Sequence, residues 1–76
     1  MPVYVAYING ETLIRGDIRR VRHVVAVALT DLLSDSPEAA GDVMAVQRSY
    51  RESNEYSGDI HTDQGTVRIV IKEEDT

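Results

Sequence analysis

The segment from Asp17 to Ser34, DIRRVRHVVAVALTDLLS, constrains this chain more than any other. Ile18, Val21, Val25, Ala28, Leu29 and Leu32 recur at steps of three and four residues, so one side of a helix is apolar. Val24, Val27 and Leu33 widen that stripe until little beyond the arginine end is left for solvent. A flank that broad must be covered. Only residues 3–15 and the C-terminal half can cover it.

The 76 residues are expected to form one domain, 1–76, at a size where only about 60% of the unfolded surface can be buried. The absence of cysteine removes disulfides and thiolate metal sites as supplements to the core. No apolar run approaches the roughly 20 residues that span a bilayer, and Met1–Gly10 lacks a signal peptide's basic region and cleavage site. The expectation is a cytoplasmic protein without membrane contact. A core of Val, Ile, Ala and Leu with no Phe or Trp is small enough that a partner or a second copy, as in a homodimer, could complete it.

The net charge of −5 is unevenly spread. Residues 1–30 carry four arginines against Glu11 and Asp17, for +2, whereas residues 31–76 carry four basic and eleven acidic side chains, for −7. Overall acidity disfavours general polyanion binding, because phosphate neutralisation supplies most non-specific affinity. It suits a negative surface that meets a basic partner, though an ordinary solvated surface explains it too.

Residues 3–8, VYVAYI, and 12–15, TLIR, flank Asn9-Gly10, a pair that accepts the positive φ of a type I′ hairpin turn. A two-residue turn pairs Ile8 with Glu11, Tyr7 with Thr12, Ala6 with Leu13, Val5 with Ile14 and Tyr4 with Arg15. Val3, Val5, Tyr7 and Ile14 then form the expected floor for the helix. Tyr4, Ala6, Ile8, Leu13 and Arg15 form the opposite face. Gly16 ends the strand and Asp17 is placed to cap the helix. Arg19, Arg20 and Arg22 sit in the first turns, where the helix dipole disfavours cations, so local stability does not account for them. The helix is expected to end near Ser34, since Pro37 restricts Ser36.

Residues 36–53 admit two readings. Ser36-Pro37-Glu38 looks like a helix start, and Ala39, Val43, Val46 and Tyr50 share a helical face. Gly41-Asp42 instead suggests a turn, with Val43–Tyr50 a strand, and the balance tips toward a turn of helix near Pro37 followed by a strand. Residues 55–62 and 66–73 read as strands joined by Asp63-Gln64-Gly65, and Val67, Ile69 and Ile71 alternate with Arg68, Val70 and Lys72. Residues 73–76 read as a frayed acidic tail. The fold class is α+β: a hairpin, one long amphipathic helix, then two or three strands, giving a mainly antiparallel sheet with the helix on one face.

Catalytic chemistry finds little support. Asp59, His61 and Asp63 fall on one side of an extended strand, a weak metal or acid–base pattern, and Asp63 is better used in the turn. The glycines are too scattered for a phosphate loop, and no serine has a nucleophile elbow. The expectation is a protein that is not an enzyme and carries no cofactor or metal.

Three surfaces are candidates for binding. The basic cluster Arg15, Arg19, Arg20 and Arg22 could hold phosphate or acidic protein, or could pair with the chain's own carboxylates. The open sheet face, with Tyr4, Ile8 and Leu13 extended by Arg68 and Lys72, combines apolar groups with a cationic rim. The acidic surface comprises Glu52, Glu55, Asp59, Glu73, Glu74 and Asp75. Together these suggest a non-catalytic protein-binding or inhibitory module that occupies a partner's surface, possible acidic mimicry of nucleic acid included. The composition is of the kind found among small phage-encoded inhibitors of host proteins. The alternative is a nucleic-acid-binding accessory domain built on the Arg15–Arg22 cluster and the open sheet face.

Overall fold

The computed structural model describes residues 2–74. A hairpin of β1 (Tyr4–Ile8) and β2 (Glu11–Gly16) leads into α1 (Ile18–Asp35). A 3-10 turn (Pro37–Ala39) joins it to α2 (Ala40–Ser53), and β3 (Tyr56–Thr62) and β4 (Gly65–Glu73) complete the chain. The strands form one antiparallel sheet in the order β2-β1-β4-β3, so the two hairpins lie side by side through β1 and β4. α1 packs over β1 and β2 while α2 lies along β3, with both helices on the same side.

Local chemistry accounts for the boundaries. Asn9 and Gly10 take φ of 52° and 84°, as the tight hairpin requires. Asp17 caps α1 by accepting from the Arg20 amide at 2.9 Å. Asn54, at φ 63°, ends α2 in the left-handed conformation, and its amide donates to the Tyr50 carbonyl at 3.1 Å. At the second hairpin Thr62 pairs with Gly65, leaving Asp63-Gln64 at the tip, and Gly65 takes φ 127°.

The first hairpin departs from the regular ladder. Ile8–Glu11 and Tyr7–Thr12 pair as expected, but the register then shifts and Ala6 faces Ile14, Val5 faces Arg15 and Tyr4 faces Gly16. Leu13 is the extra residue of a β-bulge. The bulge brings both Leu13 and Ile14 against the core, and it turns Arg15 to the opposite face beside Val5. The helix floor is therefore Tyr4, Ala6 and Ile8 together with Ile14, rather than Val3, Val5 and Tyr7.

From α1 the core takes Val21, Val25 and Leu29, each at most 1% exposed, with Ile18, Leu32 and Leu33 at its margin. The stripe is narrower than its sequence suggests, for Val27 is 49% exposed. Residues 40–53 are helix, not strand. Val43, Val46 and Tyr50 meet Ile60, Ile69 and Ile71, which α1 on β1 and β2 leaves uncovered. A helix presents those three on one side at three- and four-residue steps, whereas strand alternation would send Val43 away from Val46. Of the tail expected to fray, Glu73 and Glu74 are held in place, and residues 75–76 lie outside the described residues. β4 runs through Glu73, and the Glu74 amide donates to the Val3 carbonyl at 2.7 Å.

Candidate functional site: the uncovered sheet face

With both helices on one side, the other side of the sheet has no cover among the described residues. Directly opposed residues of an antiparallel pair share a face, so the ladder defines what that side presents. Arg15, Val5 and Lys72 form one row, and Thr12, Tyr7, Val70 and Ser57 form the next. Arg68 and Asp59 follow in a third.

Val5 is only 4% exposed although it lies outside the helix-side core. Its cross-strand neighbours are Arg15 and Lys72, whose alkyl stems can lie over a valine while their charges stay in water. The Lys72 Nζ stands 5.6 Å from the centre of the Tyr7 ring, a cation–π distance. Tyr7 and Val70 remain partly exposed in the middle of the face. Glu55, Ser57, Val70 and Lys72 line a shallow depression at its β3 side.

The residues first assigned to an open face divide. Arg68 and Lys72 are there, exposed, and Arg15 joins them. Tyr4 belongs to the core, and Ile8 and Leu13 pack against it on the helix side, because the bulge and the second helix give that side the larger apolar set. Val3, Val5 and Tyr7, expected beneath the helix, are not part of the helix-side core. The available signal was Ala6, a small residue in mid-strand where a helix can approach closely.

The basic cluster is not one surface. The Arg15 Nε donates to Glu74 Oε2 at 2.6 Å. Arg22 donates through Nη2 to the Tyr50 carbonyl at 3.2 Å and to Asn54 Oδ1, which spends it on the end of α2. Its Nε is buried without a partner. Arg19 and Arg20 are exposed and form no ion pair among the described residues.

The acidic residues are likewise dispersed. Asp59 lies 3.9 Å from Arg68, and Glu74 is taken by Arg15. Glu55 Oε2 accepts from the Glu73 amide at 3.4 Å, while Glu52 is exposed in the last turn of α2. Asp75 lies outside the described residues.

Asp59, His61 and Asp63 do not converge. His61 meets Asp42 instead: Asp42 Oδ2 accepts from the His61 amide at 2.9 Å and stands 3.1 Å from its Nδ1. Those contacts, the amide foremost, hold the Asp42 carboxyl below its ordinary range. Asp63 is tied to the helix junction, its amide donating to Glu38 Oε1 at 2.9 Å and its carboxylate accepting from the buried Ser36 hydroxyl at 3.3 Å. The Asp63 amide is the main cause of a lowered Glu38 carboxyl. These pairs tie α2 and the helix junction to β3 and its hairpin. Among the described residues no three His, Asp or Glu side chains are grouped to hold a metal ion, and no helix is long and apolar enough to cross a membrane.

Neither a family model nor a curated protein nor a solved structure matches this chain.

Proposed function

We propose that this protein is a non-catalytic binding module that works by presenting its uncovered sheet face to a protein partner. The observation that carries this reading is the placement of both helices on one side, which leaves Tyr7 and Val70 in the open between Arg15, Arg68 and Lys72. An aromatic and aliphatic centre with a charged rim is the usual anatomy of a protein interface. Carboxylates interleave with those cations, as at Arg15–Glu74 and Arg68–Asp59. Such mixing suits a partner surface of both signs better than acidic mimicry of nucleic acid, which calls for a continuous negative field.

A second reading, binding of single-stranded nucleic acid, draws on Tyr7 lying beside Lys72 on the same face. It is the weaker one. Tyr7 is the face's single aromatic among the described residues, and the net charge is −5.

The test compares the immobilised protein with a Tyr7→Asp/Val70→Asp variant, each offered host extract with and without nuclease. The expected result is a protein, a second copy of the chain included, that survives nuclease and is lost with the variant. Material that vanishes with nuclease supports the nucleic-acid reading instead. Equal capture by the variant removes the sheet face as the site.

A further inference from the structure

We infer that the occupant of this face is a second copy of the chain, packed sheet to sheet about a two-fold axis parallel to the strands. The inference rests on the reading of the face as a protein-docking surface and names its partner. Its basis is how charge is distributed across the sheet.

In the Val5 row, Arg15 stands on one edge strand, with Lys72 beyond Val5 on β4. Tyr56 faces Ile71, so Glu55, one residue earlier, comes level with Lys72 at the opposite edge. The row thus runs from a cation on the β2 edge, one of whose guanidinium nitrogens is held by Glu74, to a carboxylate on the β3 edge that accepts from the Glu73 amide. The next row is uncharged, with Tyr7 and Val70 side by side at its centre.

Two sheets that pack face to face with aligned strands are related by a two-fold lying between them, either along the strands or across them. An axis along the strands exchanges edges. It sets β2 over β3 and β1 over β4 of the second copy. Arg15 then opposes Glu55 of the second copy, Tyr7 opposes its Val70, and both contacts occur twice by symmetry. An axis across the strands through the Tyr7 row keeps each strand over itself. It would set the Lys72 level over Arg68 and the Glu55 level over Asp59, like charge on like. The first arrangement brings the two Lys72 side chains together over the Val5 pair but sets opposite charges at both edges, whereas the second sets like on like along both β4 and β3.

Four strands at about 4.8 Å spacing and roughly 17–30 Å long make a face of about 400–600 Å² per copy, in the weak class below stable interfaces, so dissociation in the micromolar range or above is expected. The chain would then bury Val5, Tyr7 and Val70 in a second apolar layer, with the helices on the outside of a four-layer dimer.

The test is sedimentation equilibrium of the full chain from about 1 to 500 µM, a range that brackets micromolar association. The wild type is expected to pass from monomer to dimer across it. Arg15→Glu alone and Glu55→Arg alone should each weaken the dimer tenfold or more, while the two changes together restore it. Within one copy these residues lie on opposite edges, about 14 Å apart by strand spacing, so restoration reports a contact between copies. Circular dichroism checks that each variant is folded; both positions are exposed.

A wild type that stays monomeric throughout overturns the inference, and so does a double variant that stays monomeric when the wild type dimerises. Neither result removes the docking reading, which stands or falls on partner capture by the Tyr7→Asp/Val70→Asp variant.

Discussion

Arg22, in the second turn of α1, donates from Nη2 to the Tyr50 carbonyl, 3.2 Å away in the closing turns of α2. That carbonyl already accepts from the Asn54 amide, so Arg22 adds a second donor and places a positive charge at the negative end of the α2 dipole. A residue that is unfavourable in the first turns of its own helix thus serves the end of the next one.

Replacing Arg22 by alanine is therefore expected to cost about 1–3 kcal/mol, the range for losing hydrogen bonds to a charged group. Arg19→Ala and Arg20→Ala, at exposed positions without ion pairs among the described residues, should stay within about 0.5 kcal/mol. Urea denaturation of the three variants reads the difference. Equal losses would refute the capping role.

Acid should weaken the fold through Asp42 and Glu38. Each carboxyl is lowered in the folded protein, chiefly by a backbone amide, that of His61 for Asp42 and that of Asp63 for Glu38. A lowered folded value means stability that is fully present above the unfolded pKa, about 3.9 for Asp and 4.3 for Glu. It is lost as pH falls from there through the folded values. Urea midpoints between about pH 2 and 6 should show this loss, and Asp42→Asn should flatten part of the slope. An unchanged slope in that variant contradicts the assignment.

Gly58 leaves room for a ring. A Cβ at this position would clash with the Tyr56 hydroxyl and come within 2.8 Å of its Cζ, so Gly58→Ala must displace the tyrosine. Overpacking of this kind is expected to cost about 1–3 kcal/mol. Burial, then Asp42 and Asp59, raises the Tyr56 phenol above its ordinary value. The same substitution should move that titration back toward the range of a free tyrosine. Ultraviolet titration, with Tyr56→Phe to assign the signal, measures it.

The two sides of α1 should respond differently to truncation. Leu29, 1% exposed, lies in the core, and Leu29→Ala is expected to cost about 2–5 kcal/mol. Val27, 49% exposed, should tolerate alanine within about 0.5 kcal/mol. Thermal or urea unfolding separates them, and a large loss at Val27 would mean that this side of the helix is covered in solution.

What sequence alone determined was local. The Asn9-Gly10 turn, the Asp17 cap, the three- and four-residue spacing of Val21, Val25 and Leu29 and the alternation of Val67, Ile69 and Ile71 act over a few residues. Each favours one backbone conformation without outside help.

Tertiary packing decided the rest. Both faces of the first hairpin carry apolar residues, so alternation could not say which one a helix would cover. The extra residue Leu13 and the small Ala6 settled it by placing Leu13, Ile14 and Tyr4 together beneath α1. Residues 40–53 satisfied helix and strand patterns alike until Ile60, Ile69 and Ile71 required a cover, which a helix bearing Val43, Val46 and Tyr50 supplies. Arg22 met Tyr50, 28 positions away, only because α1 and α2 pack side by side. Choices between two locally adequate conformations depend on area buried against distant segments, and no window of neighbouring residues contains that term.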